Sequence, residues 1–398
     1  MPEAAPPGPP CHITTMDITR IPGSRIVEVA RLAFSIPDVD FLCFGESDQP
    51  SPAAARDAAI RALEDGETRY PDVRGLPALR TALAAYLSGL HAKPVADDRI
   101  QITASGMAAF SIALAAVVRP GDRVVMHSPT WPNIANALRL RGAIVEELDL
   151  TPQPDGGFAL DLDRLDTMMA GARAFVLNSP GNPTGWTATE TELRQVYQIV
   201  RRHGAWLLSD EVYSRLVYDG RRAAPSVLDI AGPHDRVIVC NSFSKAWVMT
   251  GWRLGWMVVP EGSADAIADL VEVSHSGVAP FTQRAGIAAI HDTGTVEAFR
   301  QHCATGRALA SEALAGLNGI RYRPPDGAFY AFLQIEGLRD SLDMAKRLVS
   351  RHGVAVAPGS AFGSAGEGWL RVCYAQSAAK MARAMQRLRD GLRAEMRS

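Results

Sequence analysis

Only four lysines occur in the 398 residues, Lys93, Lys245, Lys346 and Lys380, against 41 lysines and arginines together. Lys245 alone lies between two apolar, strand-like runs, residues 236–240 and 254–259. Lys346 and Lys380 fall in amphipathic helical patterns, and Lys93 precedes a proline in a polar stretch. A partly desolvated amine loses some of its preference for the charged form, so it can attack a carbonyl and hold it as a Schiff base. A lysine taken at random is more simply a surface residue. The residues that accompany Lys245 point elsewhere.

Asp210 closes the apolar run 205–209 in Ser-Asp-Glu-Val-Tyr. A carboxylate there can keep a ring nitrogen protonated by an opposite-charge contact, although alone it reads as a helix N-cap. Ser105-Gly106-Met107 opens a helical pattern, whose free N–H groups suit a phosphate. Arg253 could add a guanidinium fork to that anion and Ser242 a hydroxyl. Trp131 could lie against a ring, and the turn-rich run 178–185 presents Asn182 in a fixed loop. Singly, each has a plainer reading as core aromatic, loop or strand–helix turn. An amine, a carboxylate, an anion cradle, an aromatic face and a carboxylate-binding arginine are together what a pyridoxal phosphate site requires.

These residues must be positioned by the elements between them. Strand-like runs at 99–103, 123–127, 143–148, 173–178, 205–209, 236–240 and 254–259 alternate with helical patterns at 108–118, 131–140 and 190–203. Short β-branched runs alternating with helices predict an α/β fold with a mostly parallel sheet covered on both faces. Ligands of such sheets bind beyond the carboxyl ends of the strands, where Ser105, Trp131, Asn182, Asp210 and residues 242–245 fall. Upstream, helical patterns at 24–32, 53–63 and 76–90 flank a short strand-like run at 40–44. After residue 290 the pattern changes to a smaller α+β unit: helices 296–317, 341–352 and 377–396, with strands near 320–323, 330–334, 354–357 and 369–374. The expected organisation is a disordered arm at 1–12, an N-terminal segment at 13–44 packing with the small domain, a large domain at 45–290 and a small domain at 291–398.

A hydrophobic fraction of 47% with 21% charged residues suits a globular protein with a sizeable core. A formal net charge of -2 gives no general pull towards nucleic acid or membrane. No apolar run reaches the length of a membrane span, and the first ten residues lack the pattern of a signal peptide. Five widely spaced cysteines, with no Cys-x-x-Cys, suit reduced thiols in a cytoplasmic protein and neither a disulfide framework nor a metal site.

In combination, Asn182-Pro183-Thr184-Gly185, Ser209-Asp210-Glu211-Val212-Tyr213, Ser242-Phe243-Ser244-Lys245, Gly251-Trp252-Arg253-Leu254-Gly255 and residues 358–363 resemble the class I/II aminotransferases of the aspartate aminotransferase superfamily, fold-type I pyridoxal phosphate enzymes. The resemblance runs from about residue 21 to the last helical pattern. It implies that Lys245 forms the Schiff base and shuttles the substrate proton, and that Asp210 pairs with the pyridine nitrogen. Asn182 and Tyr213 would bond the phenolic oxygen; Ser105, Gly106, Met107, Ser242 and Arg253 would hold the phosphate. Tyr70 would reach a partner subunit's phosphate, implying a homodimer with shared sites, and Arg371, with Gly45 near it, would clamp the substrate carboxylate. The implied activity is transfer of an amino group from an amino acid to a 2-oxo acid, 2-oxoglutarate or pyruvate, by a ping-pong route. β-Elimination, decarboxylation and, less readily, non-catalytic cofactor binding are the alternatives on this scaffold. Two positions where relatives carry a cation for a distal carboxylate hold Met107 and, in residues 274–280, His275 and no arginine. Neither supports a dicarboxylic donor; a neutral, aromatic or larger side chain fits as well. The loop 45–49, Gly-Glu-Ser-Asp-Gln, also departs from the family's usual Gly-Glu-Pro-Asp.

Overall fold

The structure, a computed structural model, describes residue 21 and residues 23–397. The expected arm at 1–12 and Cys11 lie outside these residues.

A seven-stranded sheet has the spatial order Ile100–Thr103, Gly255–Val258, Val237–Ser242, Trp206–Asp210, Ala174–Asn178, Arg123–Ser128 and Ile144–Asp149. All of its pairings are parallel except those of Gly255–Val258, which runs antiparallel to both neighbours. Successive strand residues therefore enter two apolar layers. Val124 and Met126 pack with the helices Gly106–Val117, Pro132–Leu140 and Ala264–His275 on one face. Val125, Phe175 and Leu207 pack with Pro77–Leu90, Glu190–Arg202 and Pro280–His291 on the other. Covering both faces explains why these strands read as continuous apolar runs rather than alternating ones.

The helices Leu162–Met169, Ala264–His275 and Pro280–His291 were not apparent in the sequence. Proline at the first position of the last one looks like a breaker, yet its missing N–H has no partner to lose there. Gly286 inside that helix permits close packing: a Cβ would lie 2.5 Å from Leu254 Cδ2.

A third cluster gathers the strands Tyr330–Ile335 and Trp369–Cys373 with the helices Ser341–His352 and Ala378–Glu395. Val29, Ala30, Ala33, Leu42 and Cys43 join it. Asp40–Phe41 pairs in parallel with Val354–Ala355. The buried Asp40 carboxylate accepts from Arg383 Nε at 3.1 and 3.2 Å and from Arg387 at 3.1 Å. Two guanidinium groups thus offset the desolvation of one carboxylate. Among the described residues no helix is long and apolar enough to cross a membrane, and Cys43, Cys240, Cys303 and Cys373 are free thiols.

The helix Thr293–Leu314 crosses this cluster at Gly306, where a Cβ would lie 2.0 Å from the carbonyl oxygen of Tyr374. Backbone cannot yield as a flexible side chain can. Gly306→Ala should cost about 1–3 kcal/mol by overpacking, visible as a lower denaturant midpoint; an unshifted midpoint would contradict this packing.

Candidate active site

The strand ends open on a cavity of about 410 Å³. Gly106, Met107, Ser242 and Arg253 lie on its wall, as do Asp210, Tyr213 and Lys245. Trp131, Asn182, Gly45 and Arg371 stand on it too. Ser105 and Tyr70 are not on the wall. Ser105 is buried, and Tyr70 is 92% exposed.

Lys245 follows the strand Val237–Ser242 by three residues. Its Nζ donates to Gly45 O at 2.7 Å and stands 5.8 Å from the ring centroids of Tyr213 and Phe329. Burial lowers its pKa to about 8, and the nearby Arg371 charge pushes the same way. A useful fraction of the amine is therefore neutral near pH 8. Asp210 ends the strand Trp206–Asp210, and its Oδ1 accepts from the Val212 N–H at 3.3 Å. Burial raises this carboxyl to about 7. A cation beside it would draw it back to the ionised form.

Arg371, in the strand Trp369–Cys373, is 2% exposed. One nitrogen donates to Asn182 Oδ1 at 3.0 Å and the other terminal nitrogen to the Cys43 carbonyl. Its Cζ lies 4.5 Å from the Tyr330 ring and 4.9 Å from the Phe362 ring, so two aromatic faces hold the guanidinium. Nε has no partner, and no carboxylate of the described residues pairs with Arg371. A buried, un-neutralised guanidinium opening on a cavity has the chemistry to pair with a carboxylate.

Two residues of this array were missed from the sequence. Tyr330 donates to or accepts from Tyr213, with their hydroxyls 2.7 Å apart, and its hydroxyl leaves room for no side chain at position 45. It sits in an apolar strand run with nothing local to mark it. Asn178 accepts the Asn182 N–H at 2.9 Å and donates to the Asp210 carbonyl at 3.3 Å, tying two strand ends together. Its place at the end of a strand-like run, opening the Asn-Pro-Thr-Gly turn, was the available signal.

The turn expected from the sequence to cradle an anion is strained. Ser105 has φ 139° and ψ 168°, a region almost reserved for glycine that costs about 1–3 kcal/mol. Its hydroxyl caps the helix Gly106–Val117 by accepting the Ala108 N–H at 3.0 Å. The first N–H groups of this helix, those of Gly106 and Met107, have no carbonyl within the helix to bond. Gly255 presses against the turn: a Cβ would lie 2.5 Å from Ser105 C and 2.6 Å from Gly106 N. Arg253 reaches the wall from a left-handed backbone at φ 53°. His275, in residues 274–280, turns to the chain before this turn: its Nε2 accepts the N–H of Ala104 at 3.2 Å.

Comparison with known proteins agrees with this geometry. The profile of the family "Aminotransferase class I and II" matches residues 38–388. An aspartate aminotransferase of Pyrococcus horikoshii is 31% identical over 382 residues, covering 94% of this chain and 95% of that protein. An aromatic-amino-acid aminotransferase of Thermococcus litoralis is 32% identical over 379 residues, covering 93% and 96%. The crystal structure of an aspartate aminotransferase from Thermotoga maritima superposes with a TM-score of 0.85 at 29% identity, covering 94% and 98%. The chain belongs to the class I and II aminotransferases of fold type I. It is a transaminase that uses pyridoxal 5'-phosphate to move amino groups. The residues present fit that cofactor: a desolvated amine, a buried carboxyl and a helix start with free N–H groups share one cavity.

The lowered Lys245 pKa gives a pH prediction. The amine is unreactive when protonated, so capture of an aldehyde such as pyridoxal by the apoprotein should rise with pH and level off above about 8. A rate still climbing towards the ordinary lysine value of 10.5 would contradict the desolvation.

Proposed function

We propose that the chain transfers the amino group of an amino acid with an uncharged, apolar or aromatic side chain to a 2-oxo acid. The observation that carries this is the buried, un-neutralised Arg371 opening on the same cavity as Lys245. Pyridoxal phosphate supplies an aldehyde for the amine and a ring that delocalises charge from the substrate α-carbon. Lys245 Nζ would hold the aldehyde and then move the proton at that carbon. Asp210 would keep the ring nitrogen protonated. Tyr213 and Asn182 would hold the phenolic oxygen, and Trp131 would lie against the ring. The N–H groups of Gly106 and Met107, with Ser105, Ser242 and Arg253, hold the phosphate. Arg371 takes the substrate α-carboxylate beside Gly45.

The side-chain preference rests on the wall. Three of the residues on it are Lys or Arg: Lys245, Arg253 and Arg371, each with a role already assigned. Ile26, Val27, Phe44 and Met107 line it as well. Desolvating a second carboxylate against such groups is costly, which favours pyruvate over 2-oxoglutarate as acceptor. The working unit proposed is a cytoplasmic homodimer in which Tyr70 serves the partner's site. Tyr70 and Val273, 92% and 89% exposed, stand near Pro71 and Gly277, where the two segments meet. Residues 45–290 would form the large domain, and 291–398 with 13–44 the small one.

A panel of amino acids scored by the half-reaction tests this. Leucine, methionine or phenylalanine should exceed aspartate in kcat/KM by about tenfold or more, as expected for roughly 1.4 kcal/mol of differential binding. Preference for aspartate would overturn the side-chain reading. Lys245→Ala should abolish turnover while leaving some cofactor bound. Steady release of ammonia and pyruvate without an acceptor would instead indicate a lyase.

A further inference from the structure

We propose that His275 is a positioning residue that holds the phosphate-binding turn in its strained shape. This rests on the reading that Gly106, Met107 and Arg253 hold the cofactor phosphate.

His275 is the last residue of the helix Ala264–His275, which packs beside the strand Ile100–Thr103 and the helix Gly106–Val117. Ser276 ends that helix in a left-handed conformation, φ 54°, and the histidine ring reaches back to the chain. Its Nε2 accepts from Ala104, the residue between the strand end and Ser105. An accepting Nε2 requires the ring proton on Nδ1, which is buried and has no partner in the protein. Burial also favours the neutral ring.

The turn needs this support because Ser105 occupies a backbone region that its side chain disfavours. Such a conformation persists only when its surroundings over-determine it. Besides the cap in which the Ser105 hydroxyl accepts the Ala108 N–H, three contacts do so. Thr103 Oγ1 donates to the Ser105 carbonyl at 3.0 Å, Gly255 closes against the Ser105–Gly106 peptide, and His275 fixes Ala104 immediately before it. The first two act on Ser105 itself. The strand Gly255–Val258 holds the backbone at Thr103, whereas His275 anchors the next residue, Ala104, to a helix that contributes nothing to the cavity wall. If Ala104 were released, Ser105 could relax to an ordinary backbone. The N–H groups of Gly106 and Met107 would then no longer point together at the anion.

The test compares His275→Leu, which removes the acceptor, with His275→Gln, whose carbonyl oxygen can stand near Nε2. Binding of pyridoxal phosphate and of phosphate-free pyridoxal to each apoprotein is titrated by absorbance. The expected result is a roughly tenfold or greater loss of pyridoxal phosphate affinity for the leucine variant. Pyridoxal affinity should be unchanged and the glutamine variant restored to within about threefold. Equal losses for both ligands, or no loss, would overturn the proposal. A reading that does not depend on folding of a variant is amide exchange in the wild-type apoprotein. The Ala104 N–H should be protected relative to exposed loop amides; free exchange would also overturn the proposal. If the wild-type chain bound pyridoxal and pyridoxal phosphate equally, the phosphate assignment beneath the proposal would be the part that fails.

Discussion

Arg371 and Lys245 place two basic groups on one cavity, and no ion pair within the described residues neutralises either. Charge withdrawn from water in this way is expensive, and much of the surrounding structure can be understood as compensation. The guanidinium is held by two aromatic faces, the Asn182 amide oxygen and the Cys43 carbonyl. The amine donates to the Gly45 carbonyl and gives up part of its charge. Each arrangement offsets part of the desolvation, and the Arg371 Nε stays without a partner. A carboxylate side chain at either place would stabilise the apoprotein and close the site.

That constraint explains why the two halves of the chain meet where they do. Lys245, Asp210 and Asn182 come from the ends of the large sheet, whereas Arg371, Tyr330 and Phe362 come from the C-terminal cluster. Residues 43–45 bridge them. Cys43 accepts from Arg371, Gly45 accepts from Lys245, and Asp40–Phe41 pairs with Val354–Ala355. A segment too short to fold alone is thereby fixed by both partners. Close approach decides its composition: the Tyr330 hydroxyl would lie 2.2 Å from a Cβ at position 45.

Much of this is legible in the amino-acid sequence itself. The strand runs are apolar because both sheet faces are covered, so their order and the chemistry at their ends can be read together. Lys245 stands out because lysine is scarce, and Asp210 because it ends an apolar run. What the sequence leaves unmarked depends on three-dimensional proximity. Tyr330 carries no local mark that separates it from the apolar residues around it. Ser105 reads as an ordinary helix cap, and only its φ of 139° shows the turn to be strained. The antiparallel course of Gly255–Val258 follows from placement between Ile100–Thr103 and Val237–Ser242, which periodicity does not encode. Gly255 itself is needed by contact with a turn about 150 positions earlier in the chain.

The central claim is that Lys245, among four lysines, is the residue that carries the cofactor aldehyde. Borohydride reduction of the holoenzyme, followed by peptide mass spectrometry, tests it most directly because reduction makes the carbon–nitrogen link permanent. The account predicts a phosphopyridoxyl mass on the peptide containing Lys245 and on no other. Label on Lys93, Lys346 or Lys380, with Lys245 unmodified, would contradict it.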